Sequence, residues 1–194
     1  GVMRLTAGAA ILIFNGRDGE WRATLAEAGK RGAIALPDTQ TRPLHLPPDL
    51  WLLFAPIKKA RTDFIVEKAV ELGAARILPV QTRHTNSERI RQDRLQAHAI
   101  EAAEQCGATY VPGVTDLQHL DKLLAKWPDD RRLYWCDETA FGQPASIAPA
   151  TGPAAILIGP EGGFSAEEAA RLRGKANVIP LSLGIETLGG VTTV

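Results

Sequence analysis

A glycine-rich segment at residues 159–163, which reads Gly-Pro-Glu-Gly-Gly, has the composition of a ligand-binding turn. It follows the apolar run 154–158 and precedes Ser165 and Glu168, whose spacing is that of a helix capping box. The pattern predicts a turn that leads from a buried strand into a helix. Because glycine has no Cβ, the backbone of such a turn can approach a ligand closely. Such a turn lies at the carboxyl edge of the sheet, which is where open α/β sheets bind their ligands.

The turn does not carry the usual nucleotide-binding signatures. It is neither the Gly-x-Gly-x-x-Gly motif of dinucleotide-binding domains nor a phosphate-binding loop that ends in Lys followed by Ser or Thr. This argues against a plain nicotinamide enzyme or nucleoside-triphosphate enzyme. On spacing alone, an ordinary strand-to-helix turn that contains glycines is an equal alternative.

A second set of residues with binding chemistry is basic. These cations fall in two short stretches and are Lys58, Lys59, Arg61, Arg76, Arg83, Arg89, Arg91 and Arg94. Lys plus Arg and Asp plus Glu number 22 each, and the pI is about 7.1, which excludes a globally basic nucleic-acid binder. The clustering is compatible with a local phosphate-binding face. A solvated surface that includes Glu88 and Asp93 is the commoner outcome for such a pattern.

The cysteines and histidines do not indicate a metal site. Cys106 and Cys136 are the only cysteines, and neither has Cys or His at metal-ligand spacing, so we expect neither zinc nor a disulfide. No histidine is assigned to catalysis; the four are His45, His84, His98 and His119. The first residues lack the order of a signal peptide, and no apolar run approaches the length of a membrane span. We therefore expect a soluble, cytoplasmic protein.

Two regions of different character position these residues. Residues 10–36 are short apolar runs separated by Asn-Gly and Asp-Gly, which are hairpin signals, so they predict a small antiparallel β module. The prolines of residues 42–48 predict a linker. Strand-like and helix-like segments then alternate, as in a mainly parallel sheet covered by helices. We divide the chain into a β-rich domain at 1–47 and an α/β domain at 48–194.

Hydrophobic periodicity predicts the elements of the α/β domain. Strands are predicted at 51–55, 77–80, 133–136 and 154–158, and helices at 64–72, 92–106, 117–126 and from 165 onward. Gly73 and Gly107 are expected to end the first two helices, Gly73 in the left-handed conformation. The apolar residues that predict the buried faces of these two helices are Ile65, Ala69, Leu72, Leu95, Ala99, Ala102 and Cys106.

Residues 158–165, with Glu167 and Glu168 behind them, resemble the hallmark loop of the RsmE family of 16S ribosomal RNA uridine N3-methyltransferases, in the knotted SPOUT superfamily. The likeness extends over residues 1 to about 184, and this combination of motifs is more specific than the glycine loop alone. The other segments that resemble the family are Lys58–Lys59, 67–74, 77–80, Arg83 with 87–89, 102–107, and, as the later part of its PUA-like β domain, 1–46.

The resemblance implies a SPOUT-type α/β knot domain preceded by a partial PUA-like β-barrel domain. It implies a homodimer that transfers the methyl group of S-adenosylmethionine to N3 of a uridine in 16S ribosomal RNA or the small ribosomal subunit, with no metal and no identified general base. The cofactor-binding residues that it implies are Ile158, Gly159, Glu161, Gly162, Gly163, Leu181, Leu183 and Gly184. The candidates for RNA contacts are Arg22, Arg83 and Arg89.

Both ends of the chain depart from the family pattern. The family has further residues in front of the position of Gly1, and the basic segment that follows its Leu-Gly is replaced here by residues 185–194. The family forms its knot by threading this C-terminal segment, so the replacement affects the segment on which knot completion and tight cofactor binding depend. A catalytically compromised RNA-binding relative is therefore the second interpretation. An unrelated Rossmann-type nucleotide-binding enzyme is the third.

Overall fold

The computed structural model describes residues 5–29, 32–86, 89–137, 139 and 152–181. Within these ranges the chain forms two sheets and four helices. The elements are β1 (Ala10–Phe14), β2 (Glu20–Gly29), β3 (Gly32–Arg42), β4 (Leu50–Phe54), α1 (Lys59–Glu71), β5 (Arg76–Gln81), α2 (Gln92–Cys106), β6 (Gly113–Val114), β7 (Gln118–His119), α3 (Leu120–Ala125), β8 (Arg132–Cys136), β9 (Ala154–Ile158), α4 (Ala166–Arg173) and β10 (Val178–Leu181).

The first three strands form a small antiparallel sheet in the order β1-β2-β3, as the hairpin signals predict. The turn between β1 and β2 is held by Asn15, whose side-chain oxygen accepts hydrogen bonds from the backbone N–H groups of Arg17 at 3.0 Å and Asp18 at 2.8 Å. Gly16 and Gly19 have positive φ values of 73° and 79°, which this turn requires. β3 continues to Arg42, so the irregular linker begins one residue later than predicted.

The second sheet is parallel throughout, with the strand order β10-β8-β9-β4-β5-β6 and β7 paired to β5. This confirms the prediction of a mainly parallel sheet covered by helices, and the four predicted strands are each within one residue of the observed bounds. Helices α1 and α2 cover one face, whose core includes Phe54, Val66, Ile77, Leu95 and Ala99. Helices α3 and α4 cover the other face, whose core includes Leu53, Leu120, Trp135, Leu157 and Leu172.

The first helix is longer than its sequence pattern predicts. α1 begins at Lys59, five residues before the predicted start, and Lys58 provides no side-chain cap. Without a capping residue or an acidic first turn, the usual start signals are missing. The C-terminal prediction is confirmed, since Gly73 follows the helix with φ 79°. The placement of Leu72 in the buried face was wrong, because Leu72 is 83% exposed and Val70 is buried instead.

The second helix has the predicted bounds, and Gly107 ends it with φ 70°. Leu95, Ala99 and Ala102 are buried as predicted, whereas Cys106 is exposed, so its assignment to the core was wrong. Cys106 is the last residue of the helix and lines an open cavity instead of the core. No helix among the described residues is long and apolar enough to cross a membrane.

The β module is fixed against the α/β domain by polar and steric contacts. The guanidinium of Arg42 donates to the carboxylate of Glu20, at 3.0 Å and 2.5 Å, and to the carbonyl of Gly107 at 2.8 Å. Gly16 lies so close to Val111 that a Cβ there would be 3.1 Å from the valine Cβ. The end of β3 and the β1–β2 turn therefore both rest on the segment that follows α2.

Candidate functional site

The glycine turn is anchored by the helix that follows it. The backbone N–H of Ser165 donates to Glu168 Oε2 at 2.9 Å, and Ser165 Oγ accepts from the backbone N–H of Glu168 at 3.3 Å, which confirms the capping box. The second carboxylate oxygen of Glu168 accepts from the backbone N–H of Arg83 at 2.8 Å. Glu168 is only 7% exposed. One buried carboxylate therefore ties the loop after β5 to the loop after β9.

The three glycines of the turn have different structural requirements. A Cβ at Gly159 would lie 2.6 Å from the ring of Phe164, and that ring packs edge-on against Trp135 with centroids 5.7 Å apart. Gly163 has a φ of 65°. At Gly162 a Cβ would only reach ordinary contact, 3.5 Å from His84 Cβ. Side chains are thus excluded at Gly159 by space and disfavoured at Gly163 by backbone conformation.

Part of the turn faces solvent. Ile158 is 42% exposed although it ends a central strand, and Glu161 and Gly162 are exposed as well. The Glu161 carboxylate lies 3.6 Å from the Arg61 guanidinium on α1, in an exposed ion pair. Exposure of an apolar strand end beside a glycine turn leaves room for a ligand with an apolar face.

Strand register brings two of the predicted cofactor residues to the same edge. Trp135 on β8 is paired with Leu157 on β9, so Cys136 stands level with Ile158, and Cys136 is paired with Leu181 on β10. Ile158 and Leu181 therefore lie two strands apart, about 10 Å at normal strand spacing. Burial raises the pKa of the Cys136 thiol between them to about 11, so it is neutral at physiological pH. The predicted residues Leu183 and Gly184 lie outside the described residues.

Asp137, which the sequence analysis did not identify, lies at the same edge. Its backbone N–H donates to the carbonyl of Leu181 at 3.1 Å, and its carboxylate accepts from the N–H of Thr139 and from Arg173, both at 2.9 Å. Burial raises the pKa of this carboxyl, but the hydrogen bonds from Thr139 and Arg173 outweigh burial and hold the pKa below its ordinary value. An Asp directly after an apolar strand was the signal available in the sequence.

A cavity of about 640 Å³ opens beside the turn, between the end of β5 and the starts of α3 and α4. Its walls are mostly polar and include Thr82, Arg83, His84, His119, Asp121, Ser165, Glu167, Glu168 and Arg171. None of the predicted cofactor residues lines it. The cavity adjoins the turn through Ser165 and through His84, whose ring Nδ1 lies 3.1 Å from the carbonyl oxygen of Gly162.

The three arginines predicted to contact RNA lie in three different places. Arg83 lines the cavity beside the turn. Arg89 lines a second cavity of about 320 Å³ at the start of α1, together with Lys59 and Arg94. Arg22 lies on β2, where its guanidinium pairs with Asp38 at 3.0 Å. Residues 87 and 88 of the predicted basic loop lie outside the described residues, and the described residues contain no group of three or more potential metal ligands.

Comparison with known proteins identifies both regions. Residues 45–193 match the family model of the RNA methyltransferase domain, and residues 2–38 match that of the RNA methyltransferase PUA domain. The chain is 27% identical over 195 residues to the ribosomal RNA small subunit methyltransferase E of Rickettsia conorii, which covers 98% of this chain and 79% of that protein.

Solved structures give the same result. The probable rRNA-methyltransferase of Porphyromonas gingivalis superposes with a TM-score of 0.80 at 26% identity, over 94% of this chain and 79% of that one. The ribosomal RNA small subunit methyltransferase E of Neisseria gonorrhoeae, solved with S-adenosyl methionine bound, gives 0.80 at 27% identity over 94% and 78%. These findings confirm the resemblance to the RsmE family, and the chain belongs to the family of RNA methyltransferases.

Proposed function

We propose that this protein transfers the methyl group of S-adenosylmethionine to N3 of a uridine in 16S ribosomal RNA. The observation that carries the proposal is the glycine turn at the carboxyl edge of the parallel sheet. A relative that superposes on this chain with a TM-score of 0.80 was solved with this cofactor bound. The name of the Rickettsia relative supports ribosomal RNA of the small subunit as the substrate.

The described residues fit an adenosyl cofactor. Exposed Ile158 offers an apolar surface at the end of β9, two strands from Leu181. The backbone of Gly162 is exposed and offers polar groups that no Cβ screens, and Glu161 beside it is exposed as well. An adenosyl group has an apolar ring face and polar edges, so this combination suits it. Gly159, Gly163, Leu183 and Gly184 complete the proposed set.

The protein's own share of the reaction is positioning. S-adenosylmethionine supplies an activated methyl group when it is bound, so no metal is needed to activate the donor. The chain has to hold donor and acceptor in line. Glu168 serves this end, because it fixes the turn relative to the loop that carries Arg83. Arg83, which lines the cavity beside the turn, is the proposed contact for an RNA phosphate, and Arg89 and Arg22 are the proposed phosphate contacts elsewhere on the protein.

We further propose that the protein acts as a homodimer in the cytoplasm. The resemblance to the family supports a dimer in which RNA on one α/β domain reaches the partner's β module. Light scattering at micromolar protein concentration would give twice the chain mass. A clean monomer at that concentration would contradict this part of the proposal.

Calorimetry followed by a methylation assay tests the main proposal. We expect S-adenosylmethionine to bind while NAD and ATP produce no heat, and we expect methyl transfer from the labelled cofactor to small-subunit RNA. Binding of NAD or ATP instead would favour an unrelated nucleotide enzyme. Cofactor and RNA binding without methyl transfer would favour the compromised relative, for which the replaced segment 185–194 is the specific observation.

A further inference from the structure

His84 lies directly against the glycine turn. Its ring nitrogen Nδ1 is 3.1 Å from the carbonyl oxygen of Gly162 and 3.3 Å from that of Gly163. A carbonyl oxygen can only accept a hydrogen bond, so Nδ1 must carry the proton and donate it. In a neutral imidazole the other nitrogen, Nε2, then has a free lone pair. The turn therefore sets the tautomer in which Nε2 can accept a proton.

The loop that carries His84 is braced from both sides. Within the loop, Thr85 Oγ1 accepts from the backbone N–H of Thr82 at 2.9 Å and lies 2.8 Å from Thr82 Oγ1. Next to the histidine, the backbone N–H of Arg83 donates to buried Glu168 at 2.8 Å. The backbone of His84 thus has little freedom, and the ring is held at the turn by position as well as by its hydrogen bond.

The His84 ring borders the cavity of about 640 Å³. Several of the other charged groups on the cavity wall already form hydrogen bonds or ion pairs within the protein. Glu168 uses both carboxylate oxygens on backbone N–H groups. Asp121 forms an ion pair with Arg171. The remaining titratable groups on the cavity wall are Arg83, His119 and Glu167. Among the described residues of the cavity wall, His84 is a base that is hydrogen-bonded to the proposed cofactor turn.

Methylation at N3 of uracil needs a proton acceptor. N3 carries a hydrogen, and its electron pair is delocalised into the two flanking carbonyl groups, so N3 becomes a good nucleophile only as this proton leaves. We propose that His84 is a catalytic residue and that its Nε2 takes the N3 proton; this inference rests on the proposed function. As N3 bonds to the methyl carbon, the carbon–sulfur bond breaks with its electron pair left on sulfur. The imidazolium then returns its proton to water.

The decisive variant is His84→Asn. The amide nitrogen of asparagine sits near the position of Nδ1 and can still donate to the glycine carbonyls, whereas the base is gone. Once the wild-type protein has been shown to methylate RNA, we expect kcat of His84→Asn to fall by about 10²- to 10⁴-fold. Calorimetric affinity for S-adenosylmethionine and KM for RNA should stay within twofold, roughly the scatter of such measurements. His84→Gln, whose amide lies farther out, should lose kcat similarly.

Two controls separate a proton acceptor from a structural residue. His45→Asn, on the linker, and Glu167→Gln, on the same cavity wall, should keep the wild-type kcat. Raising the pH should shrink the deficit of His84→Asn as N3 begins to ionise without help, since hydroxide then replaces the base. A His84→Asn protein with near-wild-type kcat, a deficit that does not change with pH, or a large loss in Glu167→Gln alone would overturn the inference. An inactive wild-type protein would instead contradict the proposed function.

Discussion

The two edges of the parallel sheet are built in opposite ways. At the amino edge, large side chains close the surface: the guanidinium of Arg131 lies 3.7 Å from the ring centroid of Trp51, and Trp127 packs edge-on against the same ring. At the carboxyl edge, a glycine turn leaves an apolar strand end exposed, and polar groups surround a cavity. The same parallel sheet thus ends in packed large side chains at one edge and in an open glycine turn beside a cavity at the other.

The contrast predicts that stability and binding depend on different residues of one sheet. Arg131 also donates to the carbonyls of Asp49 and Ala154 and pairs with the Asp49 carboxylate at 2.7 Å, so it joins the starts of β4 and β9. At the other edge, the loops are joined by Glu168 and by backbone groups. A substitution at either edge should therefore affect one property much more than the other.

The largest expected effect comes from breaking the amino edge. Arg131→Ala removes the ion pair with Asp49, two hydrogen bonds to carbonyls and the stacking on Trp51, and Arg131 is only 6% exposed. We expect the free energy of unfolding to fall by about 3 kcal/mol in urea titrations. Cofactor affinity of the folded variant should not change.

The neighbouring Arg132 provides a matched control. It is exposed at the first position of β8, directly after Arg131, so Arg132→Ala should change the free energy of unfolding by no more than about 0.5 kcal/mol. Equal losses in the two variants would contradict the special role of the stack. A loss of cofactor affinity in folded Arg131→Ala would contradict the separation between the edges.

The next effect comes from filling the carboxyl edge. In Gly159→Ala the new Cβ would meet the ring of Phe164, and Trp135 behind the ring limits its retreat. We expect a loss of about 2 kcal/mol in the free energy of unfolding together with weaker binding of S-adenosylmethionine, measured by calorimetry. Gly162→Ala, whose Cβ would reach only ordinary contact with His84, should be much less destabilising. If the two alanine variants lost equal stability, the steric argument would be wrong.

The sequence predicted what short-range rules control. The capping box of Ser165 and Glu168, the glycines that end α1 and α2, and four strands of the parallel sheet follow from local spacing and periodicity. The family resemblance rests on contiguous motifs of the same kind. These features need no knowledge of which strands become neighbours.

Contacts that depend on the order of strands could not be predicted in the same way. The second oxygen of Glu168 meets the backbone of Arg83, which is 85 residues away, and His84 meets Gly162 across 78 residues. The contact between Asp137 and Leu181 likewise depends on the pairing of β8 with β10. The exposure of Leu72 was also missed, because helical spacing does not reveal which of two apolar faces the sheet covers.

A smaller effect should follow from weakening the bridge between the two carboxyl-edge loops. In Glu168→Gln the side chain keeps one acceptor oxygen, but an NH₂ group replaces the other. This NH₂ group would face the backbone N–H of either Ser165 or Arg83, and two donors cannot form a hydrogen bond with each other. We expect a loss of about 1 to 2 kcal/mol in the free energy of unfolding and faster amide exchange at residues 83–84. The exposed neighbour gives the control, since Glu167→Gln should leave both measurements unchanged.

The smallest effect concerns Asp137 and depends on pH. Because its pKa is lower in the folded protein than the ordinary carboxyl value, its charge stabilises the fold above that ordinary value, and this contribution is lost as the pH falls through the lower folded value. Asp137→Asn keeps an acceptor for Thr139 but loses the ion pair with Arg173, which is half exposed, so we expect a loss of about 1 kcal/mol at neutral pH. The difference from wild type should narrow below about pH 4. Asp130→Asn, at an exposed turn before β8, controls for the change in net charge. If the difference in free energy of unfolding between Asp137→Asn and the wild type persisted in acid, Asp137 would act through its shape and not through its charge.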